Sequence, residues 1–220
     1  MDDLKNLGNR DEREKARTLT AAEQKRLGKF EALSADMIQN GYRRVELTVG
    51  IVKANVFAVL LLIPLTVIGL GLYLLKNREF SFSFTSASFL AFVLVFLALI
   101  VIHELLHGLG WACFAEHRFR DIKFGFMKQY LTPYCTCLVP LTKGQYIFGA
   151  LLPCVALGVI PMIVGILVGS LPLLFLGIVM TDSAAGDVMI VWNILRYRSE
   201  AGEIVYMDHP TQAGGVIFER

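Results

Sequence analysis

The residues best suited to chemistry in this chain are His103, Glu104 and His107, which stand in the run His-Glu-Leu-Leu-His, an HExxH motif. On a helix, positions four apart are separated by about 40° around the axis, so both imidazoles can address one metal ion. Glu104 lies about 100° from His103, close enough to hold a water beside that ion without ligating it. A zinc site of this type lowers the pKa of water to about 7, and the carboxylate takes the proton as the oxygen attacks a carbonyl carbon. The pattern therefore points to metal-assisted hydrolysis, with Zn2+ as cofactor, His103 and His107 as ligands and Glu104 as general base. The blander alternative is a pair of buried histidines bonded to backbone carbonyls. Three ionisable groups within five residues of an apolar run argue against it, because such groups are costly in a membrane span and mark functional sites.

A catalytic zinc usually takes a third protein ligand. Cys113 has the spacing of an HExxHxxGxxH arrangement, with Gly110 as its glycine, but that geometry needs a sharp turn where this segment stays apolar to about Ala115. His117 lies ten residues beyond His107, about 15 Å along a continuous helix. Asp187 is better placed. His103 lies sixteen residues into the second apolar run and Asp187 sixteen into the fourth, each about 24 Å along a span crossing in the same direction. Its competitor Asp182 would sit about 7.5 Å further out. Gly186, with Ala184 and Ala185, would let the two helices approach closely. The other roles open to Asp187 are a helix N-cap or an interfacial charge.

What must position these groups is a set of apolar helices. Of the 220 residues 55% are hydrophobic and 18% charged, beyond the balance of a soluble globular domain. The net charge of +2 gives no reason to expect nucleic acid. Four runs are long enough to cross a bilayer, which needs about 20 apolar residues: Ile51 to Leu75, Ala87 to about Ala115, Gln145 to Val168, and Leu171 to about Leu195. Pro153 and Pro161 mark kinks in the third. Only Gly169 and Ser170 join the third to the fourth, which makes them a tight antiparallel pair, a broken or re-entrant segment being the alternative. Ten Lys and Arg precede the first span, two occupy the first loop, five the second, none the third, and three the tail. That alternation places both termini in the cytoplasm, in a multi-pass protein of the plasma membrane whose first partner is the lipid bilayer.

Outside the spans, Leu27, Phe30, Leu33 and Met37 recur at helical spacing within Thr20 to Gln39, and Thr20 with Glu23 forms a capping box. This is a surface helix, with docking to the membrane surface as the alternative. Phe80, Phe82 and Phe84 alternate with serines as a one-sided strand does. Asp121 to Pro140 reads as a β-hairpin at the cytoplasmic membrane face. In the tail, Asp208-His209-Pro210 reads as a turn and residues 214–218 as a short closing strand. Cys113, Cys135, Cys137 and Cys154 suggest no disulfide framework, and the Cys135/Cys137 pair is not a zinc half-site. The expected fold is an all-α membrane protein of about four transmembrane helices, with a small interfacial β-hairpin and a polar N-terminal helix. Its parts are a cytoplasmic segment over 1–44, the membrane domain over 45–198 and a cytoplasmic tail over 199–220.

An HExxH on one transmembrane helix with Gly-Asp on a later one resembles the site-2 protease class of intramembrane metalloproteases. That resemblance implies His103, His107 and Asp187 as zinc ligands and Glu104 as the base. The class carries its aspartate in an NPDG-like or LDG motif, whereas this chain reads Ala185-Gly186-Asp187-Val188. The chain is more closely similar, over residues 45–215, to the DUF3267 family of bacterial zincin-type peptidases, whose activity is inferred. Those are small membrane proteins with HExxHG, a strand-like loop and a late Gly-Asp before an apolar run. The resemblances imply an endopeptidase cutting a membrane or membrane-proximal protein substrate near the cytoplasmic face. A strand edge in Ile122–Met127 or Tyr134–Val139 would hold the unwound substrate. The rival readings are a membrane protein that binds metal without hydrolysis, and an inactive adaptor descended from a protease.

Overall fold

The structure is a computed structural model that describes residues 19–77, 85–127 and 132–220. The strand expected at Phe80, Phe82 and Phe84 lies outside the described residues. Thr20 starts the first helix as expected: its hydroxyl accepts from the Glu23 N–H, and its own N–H donates to the Glu23 carboxylate at 2.8 Å. Helix α1 (Ala21–Gln39) then lays its apolar stripe on the C-terminal part of the chain, where Phe30 and Met37 are buried with Met207, Val216 and Phe218. The face that would have docked on a membrane is covered by protein instead.

The fold is mostly helical, but it is not all-α. Strand β1 (Arg43–Thr48) leads to α2 (Ile51–Lys76) and α3 (Ser86–Ala112). The expected hairpin follows as β2 (Ile122–Met127) and β3 (Thr132–Cys137), paired antiparallel with Phe124 opposite Cys135. Helix α4 (Lys143–Pro153) passes through a wider π-turn (Cys154–Val159) into α5 (Ile160–Val168), and α6 (Leu171–Ser183) bends into α7 (Ala185–Arg196). Strands β4 (Ile204–Asp208) and β5 (Gly214–Glu219) end the chain. The correction lies in the three-stranded antiparallel sheet β1-β5-β4. The closing strand of the tail is its central member, buried along its whole length between α1 and the helices. Its partner β1 is only six residues long and abuts a span, so its alternating Val45 and Leu47 did not register as a strand.

Three helical segments, α2, α3 and α4–α5, are long and apolar enough to cross a membrane, and the bent pair α6–α7 makes a fourth. The fourth run is not one straight helix: it turns by 50° at Ala184. Two side chains just before the bend, Thr181 and Ser183, bond back to the carbonyls of Gly177 and Val179, each at 2.8 Å. Such back-bonding tends to bend helices. In the third run, Pro153 comes immediately before the π-turn, as a residue without an N–H would dictate. The tight pairing of the third and fourth runs holds. Gly169, at φ +74°, ends α5, and Gly165 lies so close to α6 that a Cβ there would come within 2.5 Å of the Leu174 nitrogen. Tyr73 and Asn77 at the end of α2 bind the carbonyls of Gly169 and Ile166, fixing that corner.

Helix α3 is seated in the rest of the protein through its C-terminal half. Gly110 faces Gly149 of α4, where an added Cβ would come within 2.8 Å of the Gly149 Cα, and Gly108 lies under Phe124 and Ile122 of the hairpin. Packing explains both glycines. The central core joins helices and both sheets through Trp111, Tyr146, Val191, Tyr206 and Ile217.

Candidate metal centre

Three side chains from two helices converge beside that core. His103 and His107 project from successive turns of α3, and Asp187 from the first turn of α7, where a carboxylate is favoured by the helix dipole. Asp187 lies just past the 50° bend at Ala184. His103 Nε2 lies 3.1 Å from His107 Nε2 and 3.2 Å from Asp187 Oδ2, and His107 Nε2 lies 3.4 Å from the same oxygen. Both histidines are buried, at 7% and 4% exposure. Two ring nitrogens and a carboxylate oxygen this close could hold one metal ion between them.

The triangle has the dimensions of a zinc site. Ligand bonds of about 2.0–2.1 Å in a tetrahedron set the ligand atoms about 3.3 Å apart, against the 3.1–3.4 Å found here. The orientation of His107 also fits. Its Nδ1 lies 2.9 Å from the Gly149 carbonyl, which can only accept, so Nδ1 carries the proton and Nε2 presents its lone pair to the triangle. The ring stacks on Trp111 at 5.2 Å, and Trp111 donates to the Tyr146 carbonyl at 3.0 Å. His103 is held less firmly, since its Nδ1 has no hydrogen-bond partner among the described residues.

Glu104 lines the same cavity, of about 270 Å³, without joining the triangle. The backbone N–H of Cys135 on β3 is directed at its carboxylate. Across the cavity, Asp208 accepts from the Tyr146 hydroxyl at 2.6 Å and from the Cys137 N–H at 2.7 Å. Burial pushes its carboxyl up to about 6. Arg26 of α1 closes one side, donating to the Pro210 carbonyl at 2.6 Å and the Tyr134 hydroxyl at 2.5 Å.

The other candidates lie elsewhere. Cys113 is exposed at the end of α3, and His117 is exposed beside Asp121. Asp182 is not part of the cluster. Burial pushes the Cys135 thiol up, away from the thiolate a second metal site would need. Gly186 serves no close helix contact, because nothing lies within 4 Å of where its Cβ would be; its neighbours Ala184 and Ala185 are buried. Sequence reasoning missed Asp208, Tyr146 and Arg26. The first stood in what read as a turn and the second in a span, and neither spacing nor composition marks an arginine of a surface helix.

Residues 96–201 match the DUF3267 family. Its description reads "Putative zincin peptidase". The DUF3267 segment runs from the middle of α3 past the end of α7. It therefore contains His103, Glu104, His107 and Asp187 together with the hairpin, and it leaves out α1, β1, α2, β4 and β5. No curated protein and no solved structure matches the chain. The family likeness read from the sequence is thus shown over that segment, while the likeness to the site-2 protease class has no match to support it.

Proposed function

We propose that this protein is a zinc-dependent endopeptidase of the membrane, similar to site-2 proteases in its ligand set, that cuts a membrane or membrane-proximal protein. The observation that carries the proposal is the His103–His107–Asp187 triangle beside Glu104, within a segment that matches a zincin family. His103, His107 and Asp187 would hold the metal. A zinc ion there supplies a Lewis acid that polarises a carbonyl and acidifies water. Glu104 accepts the proton of the attacking water and returns it to the departing amine. Gly149 keeps the His107 proton on Nδ1, and Trp111 keeps the ring from rotating.

The edge of β3 supports a peptide substrate rather than a small one. The Cys137 N–H points to Asp208 and the Cys135 N–H to Glu104, so both point away from β2. Alternate residues of an antiparallel strand direct their polar groups to the same side. The outer edge of β3 therefore faces the cavity with its Cys135 and Cys137 N–H groups held by carboxylates rather than by a neighbouring strand, and an extended segment can add there by taking their place. A helix must unwind to do so, which suits a substrate released from the bilayer at the level of the triangle. The alternation of Lys and Arg between loops supports a cytoplasmic level for the triangle in a multi-pass protein of the plasma membrane.

Glu104→Gln tests the assignment. Membranes carrying the wild-type protein should accumulate new N-termini in a proteome-wide termini profile, and membranes carrying the variant should not, although the purified variant retains its metal. Equal profiles would mean that the site binds metal without hydrolysis.

A further inference from the structure

A second cavity, of about 250 Å³, lies behind the wall formed by Arg26 and Asp208. Four cations surround it: Arg26 and Lys29 from adjacent turns of α1, Arg120 from the short turn after α3, and Lys123 from β2. Its two acids are already engaged. The Asp121 carboxylate accepts the His117 N–H at 2.8 Å, and the Asp208 oxygens accept from Tyr146 and Cys137. Arg26 is engaged with the Pro210 carbonyl and the Tyr134 hydroxyl, but the other three cations are less satisfied. Among the described residues, Lys123 donates only to the Arg120 carbonyl, at 3.0 Å, and the side chains of Lys29 and Arg120 make no hydrogen bond or ion pair.

The backbone is bent to build this wall. Arg118 has a φ of +54°, a left-handed conformation that side chains other than glycine rarely adopt. The Asp121–His117 bond clasps the turn that contains it. The turn brings Arg120 and Lys123 round to face α1. The floor between the cations is apolar, formed by Phe30 and Met207.

We propose that this cavity binds a phosphate-bearing anion. Several cations arriving from three elements suit a group that carries more than one acceptor oxygen on each side, whereas a single arginine satisfies a carboxylate. The apolar floor leaves room for the ester substituent of such a group. The cavity lies just beyond the last turn of α3, where a span ends, so a phospholipid headgroup and a soluble phosphate are both within reach. The inference does not depend on the metal centre or on its activity.

The test uses the full chain purified in an uncharged detergent, with a Lys29→Glu/Arg120→Glu double variant and an Arg198→Glu control outside the cavity. All three positions are exposed, and circular dichroism with thermal melting checks that each variant is folded. Inorganic phosphate is titrated by calorimetry. In parallel, nanodiscs of mixed phosphatidylglycerol and phosphatidylcholine are analysed for the lipid retained by the protein after detergent extraction. The expected result is saturable phosphate binding, retention of phosphatidylglycerol, or both, weakened at least tenfold in the double variant and less than twofold in the control. Binding in the first arm identifies a soluble ligand, and binding only in the second identifies a headgroup. No saturable binding in either arm, or binding that the double variant retains, overturns the proposal. Should the double variant misfold, Lys123→Gln takes its place, with a loss of at least threefold expected and unchanged binding counting against the site.

Discussion

Helix α3 is apolar along its length, but its two halves live in different surroundings. Phe89, Leu90, Leu94, Leu97 and Val101 of the first half are exposed on the protein surface. From His103 onward, His103, His107, Gly108, Gly110, Trp111 and Ala112 are buried. Hydropathy does not separate the two. Small residues and hydrogen-bonding side chains do, because they permit backbone contact with α4 and the hairpin and give the imidazoles fixed partners. The first half needs only a solvent as apolar as itself, while the second needs particular neighbours.

Substitutions should therefore change character at His103. Trp111→Ala should have the largest effect on stability, destabilising by about 3–5 kcal/mol as large aromatic truncations in cores do. Unfolding in mild detergent measures it, and metal affinity should fall as well because His107 loses its stacking partner. Next comes a pH effect from the floor of the site. Asp208 has a folded pKa of about 6 against an ordinary 3.8, so the unfolded chain gives up its proton first. Stability should then fall as pH rises from about 4 to about 6, by about 3 kcal/mol from this group. Asp208→Asn should flatten that part of the profile. Gly110→Val would push a side chain into the Gly149 backbone and should cost about 1–3 kcal/mol, with metal affinity falling as Gly149 shifts away from His107. Leu94→Ala should matter least, within about 0.5 kcal/mol, because Leu94 is exposed on the apolar surface and has few protein contacts to lose. A large loss from Leu94→Ala would erase the distinction between the halves.

The juxtaposition of His103, His107 and Asp187 was largely legible in the sequence because helical periodicity governs the first two. The 3.6-residue turn places His103 over His107, and the Gly-Asp late in the fourth apolar run pointed to Asp187, although the bend at Ala184 that precedes it was not foreseen. The capping box at Thr20 and the hairpin strands were readable for the same reason, being set by local spacing. What was not readable depends on contacts between distant segments. Strand β1 gains its meaning only from β5, far away in sequence. Asp208 enters the cavity only because β4 pairs with β5 in a sheet packed on Tyr146. Gly186 shows the limit in the other direction: a small residue beside a ligand suggested close packing, yet it faces open space.

The central claim is that His103, His107 and Asp187 jointly hold one zinc ion, and metal analysis of the purified protein tests it most directly. About one zinc per chain is expected in the wild type, in Glu104→Gln and in Cys113→Ala, and little in His103→Ala, His107→Ala or Asp187→Ala. Wild-type protein without zinc, or Asp187→Ala protein that keeps a full complement, would contradict the account.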